Sequence, residues 1–217
     1  MGNNVNKGFI PALKYKCLTK YFDLFLSVLM REYKIKNELI KYAGINNNEK
    51  ILDFGCGTGT LLLMLKSYYP NNEINGVDID KDVLTLANDK LFSKGLSIPL
   101  SIYDGENLPY ESNYFDKILS SLVIHHIYPE DKLRIFNENR RILKPGGNIF
   151  ILDFAKPKDF YSKIIVSILK RFEPIDDNIE GNIPDLLRKA GFTNISENFY
   201  FRTLFGGLTI YRASKLI

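Results

Sequence analysis

Residues 51–60 run Ile-Leu-Asp-Phe-Gly-Cys-Gly-Thr-Gly-Thr, and this decamer constrains the fold more than any other stretch of the chain. An apolar run reaches an acid, Asp53, and then breaks into glycines at alternate positions: Gly55, Gly57 and Gly59. Nineteen residues after Gly59, a second apolar run from Ile74 to Val77 ends on Asp78. Strand, glycine turn, helix, second strand and a carboxylate at its tip make a unit that holds a nucleoside-bearing ligand.

The alternation continues beyond that unit. Strands are expected at about 50–54, 73–77, 98–102, 115–124 and 148–154, with helices at about 58–68, 80–93 and 129–143. Asp80 is placed to N-cap the second of these helices, and Lys144-Pro145-Gly146-Gly147 reads as a sharp turn into the fifth strand. Strands separated by helical stretches predict right-handed crossovers and a mostly parallel sheet. The end differs. After a helix at 183–190, the β-rich runs Ile195–Arg202 and Leu208–Arg212 flank Phe205-Gly206-Gly207, which reads as an antiparallel hairpin. The predicted fold is therefore α/β and Rossmann-like. It has a seven-stranded, mostly parallel sheet, one antiparallel strand from the C-terminal hairpin, and helices on both faces.

With 217 residues the chain suits one compact domain. Within it we distinguish an N-terminal helical cap at 1–48, the main domain at 49–217 and a lid-like insert at about 156–182. A net charge of +4 is too small and too dispersed to indicate a nucleic-acid partner. The two cysteines, Cys17 and Cys56, lie far apart and Cys56 sits inside the glycine turn, so neither a disulfide nor a metal site is expected. No run approaches the roughly 20 apolar residues of a membrane span, and the expected compartment is the cytoplasm.

The spacing of the turn narrows the ligand. Dinucleotide folds usually space their glycines G-x-G-x-x-G so that the backbone approaches a pyrophosphate. Here the pattern is G-x-G-x-G, and Thr60 stands where the third dinucleotide glycine would fall. Asp53 would repel phosphates but suits a ligand carrying an ammonium group. S-adenosylmethionine meets both conditions, with an amino-acid end, a sulfonium and no phosphate. The coarse strand–helix alternation would also suit an NAD-dependent dehydrogenase, but the glycine spacing and Asp104 argue against it.

At residues 50–155 the chain resembles the class I S-adenosylmethionine-dependent methyltransferases, through ILDFGCGTGT, GVDID, YDGENLPY, FDKILSSLVIHHI and ILKPGGNIFILDF in that order. It is most similar to the small-molecule enzymes related to the ubiquinone/menaquinone C-methyltransferases. The resemblance implies that Gly55, Gly57 and Gly59 pass close to the methionine and ribose portion, with Asp53 facing the amino group directly or through water. It implies that Asp78 accepts from both ribose hydroxyls with Ile79 against the adenine, and that Asp104 accepts from the adenine amino group while Gly105 leaves room for the ring. Cys56, Glu106 and Ser120 complete that set. Relatives usually carry Tyr-Asp where this chain has Phe22-Asp23, and Tyr21 is the candidate to replace that tyrosine over the cofactor.

The acceptor side is sparser. The only histidines, His125 and His126, are expected at the end of the fourth strand, where ligands of open α/β sheets bind. Period-two alternation lets one of them point at the acceptor pocket. His125 is the preferred general base, and Asp153 on the fifth strand is its rival or a structural acid. Residues 158–172 present a broad apolar face opposite Lys163, Ser167 and Lys170. That segment suits a lid, a contact with an anionic membrane surface, or plain packing on the sheet. The expected activity is methylation of a small, hydrophobic or aromatic acceptor. The alternatives are an aminophospholipid N-methyltransferase at the membrane surface and a non-catalytic S-adenosylmethionine-binding module. The Met-Asn…Gly…Trp pattern usual in true quinone-ring methyltransferases is missing before the first strand, which counts against quinone biosynthesis. The sequence says nothing of the oligomeric state.

Overall fold

A computed structural model of the chain describes residues 32–158, 182–203 and 206–217. Strands β1 (Lys50–Phe54), β2 (Glu73–Asp78), β3 (Leu100–Ile102), β4 (Phe115–Ser121), β5 (Leu143–Phe154), β6 (Thr193–Thr203) and β7 (Gly206–Ser214) form one seven-stranded sheet in the order β3-β2-β1-β4-β5-β7-β6. Strands β1 to β5 pair in parallel. Strand β7 runs antiparallel to both β5 and β6, so it alone is reversed and β6 returns to the common direction. The α-helices among the described residues are α1 (Glu32–Ala43), α2 (Thr60–Tyr68), α3 (Lys81–Phe92), α4 (Pro129–Ile142) and α5 (Ile183–Lys189). The fold is the one expected from the sequence.

Side chains alternate along each strand, and the alternation feeds two cores. Ile51, Leu119, Phe150 and Leu152 join the cluster that contains Leu39 of α1, Leu62 and Leu65 of α2 and Leu91 of α3. Their neighbours Leu52, Ile118, Ile149 and Ile151 face the other way, onto Ile135 and Phe136 of α4 and Ile183 and Leu187 of α5. Helices thus cover both faces, and each fully buried aliphatic side chain contributes roughly 1.5–3 kcal/mol. Asp80 caps α3 as expected, its carboxylate accepting from the amides of Asp82 at 2.8 Å and Val83 at 3.3 Å.

Three local expectations need correction. Strand β4 stops at Ser121 instead of running through residue 124, because Leu122 turns to a left-handed φ of 60° and residues Ile124–His126 coil into a 3₁₀ turn. The histidines therefore sit on a turn beyond the strand. Strand β5 begins at Leu143 and carries Pro145, Gly146 and Gly147 within it, at the cost of a register shift against β4 between Phe115 and Lys117. Gly206 and Gly207 lie inside β7 and not in a turn. The ring of Tyr200 on β6 packs so close to Gly207 that a Cβ there would meet its hydroxyl oxygen at 2.2 Å. Tyr21, the helical cap before residue 32, and the expected lid except residues 156–158 and 182 lie outside the described residues.

Candidate functional site

The order of the sheet fixes where a ligand can sit. Successive strands step outward from β1 on one side and from β4 on the other, so β1 and β4 flank the switch point at which a crevice opens beyond the strand tips. The glycine turn leaves β1 there, and the histidine turn leaves β4.

Gly55, Gly57 and Gly59 adopt φ values of 72°, 53° and 77°, all in the left-handed region that glycine enters without steric cost. The turn is pinned from β2: the amides of Gly55 and Cys56 both donate to the Val77 carbonyl, at 2.8 and 3.0 Å. Gly57 N–H donates to Asp78 Oδ2 at 2.8 Å, and Asp80 N–H donates to the other carboxylate oxygen at 3.0 Å. Burial raises the Asp78 pKa, and the amides of Asp80, Gly57 and Ile79 oppose it. Val123, from the chain leaving β4, lies over Gly55, where a Cβ would come within 2.4 Å of its methyl carbon. Nothing lies within 4 Å of the Cβ position at Gly57. The turn is therefore packed shut at Gly55 and open at Gly57.

Asp53 is buried at 1% exposure, and its Oδ2 has no hydrogen-bond partner among the described residues. Burial pushes its carboxyl up to about 7; the Lys36 ammonium of α1 lowers it and the Asp78 charge raises it. Ser120 on β4 is fully buried, and its hydroxyl likewise finds no partner among the described residues. Cys56 is buried, with its thiol pushed up first by burial and then by the charge of Asp53, which makes it an inert wall of the turn. Ile79 is half-buried beyond the tip of β2.

Asp104 lies exposed on the loop after β3. Its Oδ1 accepts from the amides of Glu106 at 2.8 Å and Asn107 at 2.9 Å, and these bonds hold its carboxyl below the usual range. Gly105 is buried and Glu106 exposed on the same loop.

On the acceptor side the structure joins two residues that the sequence left as rivals. His125 Nδ1 lies 2.9 Å from Asp153 Oδ1, with both side chains buried. Asp153 also accepts from Ile124 N–H at 2.8 Å and Phe154 N–H at 2.7 Å. Burial alone would raise its carboxyl, but the charge and hydrogen bond of His125 and the Phe154 amide outweigh burial and hold it low. An ionised carboxylate only accepts, so His125 donates to it from Nδ1–H, and Nε2 is the ring nitrogen that the carboxylate does not engage. The His126 ring lies tilted by 42° against that of His125 with 4.0 Å between centroids, and burial, then the charge of His125, pull its pKa down to about 3 against the pull of Asp153. His126 is neutral at physiological pH.

Sequence reasoning missed Val123, which packs on the glycine turn, Lys36, whose charge acts on Asp53, and the α4 residues that hold the Asp104 loop. Val123 and Lys36 have no local signature. Arg134, Glu138 and Arg141 of α4 recur at spacings of four and three, which reads as an ordinary solvated face until the structure shows them against the Asp104 loop.

The donor set can be tested against the ligand expected from the sequence. A buried carboxylate oxygen and a buried hydroxyl without partners among the described residues, an open face at Gly57, and a carboxylate held by two amides accept cations and hydroxyls; Lys90 of α3 reaches the far end of the turn, where its ammonium donates to the Thr58 and Thr60 hydroxyls at 3.0 and 3.2 Å. S-adenosylmethionine fits this set.

The comparisons agree. A family model described as a methyltransferase domain matches residues 51–147. The ubiquinone/menaquinone biosynthesis C-methyltransferase of Cupriavidus metallidurans is 31% identical over 146 residues, covering 67% of this chain and 57% of that protein. Its counterpart from Chromobacterium violaceum is 27% identical over 242 residues and covers 96% of both chains. The chain thus spans little more than half of the first relative and nearly all of the second. Among solved structures, a SAM-dependent methyltransferase from Aquifex aeolicus superposes with a TM-score of 0.70 at 19% identity, covering 92% of this chain and 97% of that one. These likenesses support a class I S-adenosylmethionine-dependent methyltransferase with S-adenosylmethionine as its cofactor.

Proposed function

We propose that the protein methylates a small hydrophobic or aromatic acceptor whose reacting group gives up a proton, such as a phenol or the ring of a quinol. The observation that carries this reading is the buried His125–Asp153 pair on the turn beside the glycine loop. An amine with a free lone pair needs no base, whereas a phenol or carbon acid does. The names of the sequence relatives support an aromatic ring as the acceptor.

The cofactor supplies a methyl group on a sulfonium, which leaves as a neutral thioether. Asp53 and Ser120 would hold its amino-acid end, and the pinned carboxylate of Asp78 would accept from the ribose hydroxyls with Ile79 against the base. Asp104 would accept from the adenine amino group, with Gly105 making room and Glu106 beside it. Cys56 would line the turn, and Tyr21 stays a sequence-based candidate. His125 would take the acceptor's proton at Nε2 while Asp153 holds Nδ1–H and stabilises the imidazolium that forms. His126, kept neutral by burial, would pack the His125 ring in place. Positioning of the acceptor supplies much of the remaining acceleration.

The test is methyl transfer from labelled cofactor to a panel of phenols, quinols, primary amines and phosphoethanolamine. Transfer to a phenol or quinol that falls about 10²-fold or more in His125→Ala, with cofactor affinity unchanged, is the expected result. Transfer to amines alone, or turnover that survives His125→Ala, would overturn it.

A further inference from the structure

We infer that Arg134, Glu138 and Arg141 are positioning residues for cofactor binding, forming a clamp by which α4 holds the Asp104 loop in its binding shape. This rests on the reading of that loop as the adenine-binding segment.

The loop between β3 and β4 spans residues 103–114 without regular secondary structure, so left to itself it would lose conformational freedom when a ligand ordered it. In this structure α4 has already ordered it. Arg134 Nη1 donates to the Gly105 carbonyl and, at 3.3 Å, to the Glu106 carbonyl. Glu138 Oε2 accepts from Leu108 N–H at 2.9 Å. Arg141 donates from Nη2 to the Leu108 carbonyl at 3.0 Å and from Nη1 to the Tyr110 carbonyl at 2.8 Å. Both main-chain groups of Leu108 are therefore captured by a single ion pair, since Arg141 also grips Glu138 through two hydrogen bonds of 2.8 Å.

Two features separate this from ordinary surface ion pairing. Spacings of four and three put the three side chains on one face of α4, and they hold the loop through five of its backbone groups, with Arg134 also bonding the Tyr103 hydroxyl at the loop's start. The opposite face of α4 buries Ile135, Phe136, Asn139 and Ile142, which makes the helix a rigid mount. On the loop's other side the Asp104 carboxylate already closes a turn onto the amides of Glu106 and Asn107. Asp104 thus holds the amides of Glu106 and Asn107, while α4 holds the Leu108 amide and the carbonyls of Gly105, Glu106 and Leu108. The same helix begins three residues after His126, so one element braces the cofactor loop and follows the acceptor-side turn.

The experiment is calorimetric titration of the full chain with S-adenosylhomocysteine, using Asp104→Ala, Arg134→Ala, Arg134→Lys, Arg141→Lys and the Asp104→Ala/Arg134→Ala double variant, with a thermal melt of each. Arg134→Ala should weaken binding about tenfold, the scale of one charge-assisted hydrogen bond. Arg134→Lys should recover part of the loss, and Arg141→Lys, with one ammonium in place of a fork, should weaken binding without lowering the melting temperature. Because Arg134 acts through the loop that carries Asp104, adding Arg134→Ala to Asp104→Ala should cost little more. If Asp104→Ala binds normally, the adenine reading of the loop fails and the clamp with it. If Asp104→Ala weakens binding while Arg134→Ala and Arg141→Lys do not, or if the two alanine losses simply add, the clamp is refuted and the loop reading stands.

Discussion

Asp53 shows how much one residue's environment can carry. Its carboxyl is raised from 3.8 to about 7, chiefly because it is buried with one oxygen unpartnered. A carboxyl raised in the folded state stabilises the fold fully below its unfolded pKa and loses that contribution as pH rises through its folded pKa. The ligand-free protein should therefore lose stability between about pH 4 and pH 7, and Asp53→Asn should flatten that slope in urea titrations. An ammonium beside Asp53 favours the ionised form, so cofactor affinity should rise from about pH 5.5 to pH 7 and level off above it. Calorimetry across that range checks the sign, and an unchanged slope in Asp53→Asn would remove Asp53 from the amino-group site. Asp78 makes a simpler test at the same scale. Asp78→Ala should lower affinity at least tenfold, about 1.4 kcal/mol, and unchanged binding would exclude the ribose role. Asp53 and Asp78 were legible in the sequence because each ends an apolar run next to a glycine turn. The Asp153–His125 bond was not, because the partners lie 28 residues apart and meet only when β4 and β5 pair.

At the scale of elements, the glycine turn and the histidine turn are one packed unit. Gly55 has room for no side chain because Val123 fills the space, and its φ of 72° disfavours any other residue. Gly55→Ala should cost about 1–2 kcal/mol for the left-handed backbone and a further 1–3 kcal/mol for the clash. Adding Val123→Ala should return the second part and not the first, which denaturant unfolding of the single and double variants would show. The expectation that β4 runs to residue 124 fails for a related reason. Leu-Val-Ile is a good strand sequence, but Ile124 N–H is taken by the Asp153 carboxylate and Leu122 N–H by the Leu152 carbonyl, and the chain coils. Local β propensity loses to a buried acceptor supplied by another strand. Gly206 and Gly207 mislead in the same way: they read as a turn, yet Gly207 is in β7 to admit the Tyr200 ring.

Across the whole molecule, the sheet brings the β1 and β4 tips together at the switch point, and occupancy there should be felt by the entire fold. Cofactor at 100 times its dissociation constant should stabilise the protein by about 2.7 kcal/mol, or roughly 5–11 °C in melting temperature for a domain of this size. Asp78→Ala should cut the stabilisation to about 1.4 kcal/mol or less at the same concentration, and a thermal melt reads it directly. The elements and their class were written in the sequence, because hydrophobic periodicity and glycine spacing are local properties of the chain. So was the choice of ligand chemistry, since three acids and the absence of a phosphate-type turn are matters of residue type and interval. Tertiary structure decided the rest: which strands adjoin, that β7 enters between β5 and β6, that His125 meets Asp153, and that α4 grips the loop of Asp104. Those are contacts between distant segments. Their free energies come from burial and pairing that exist only once both partners are in place, so no window of sequence contains them.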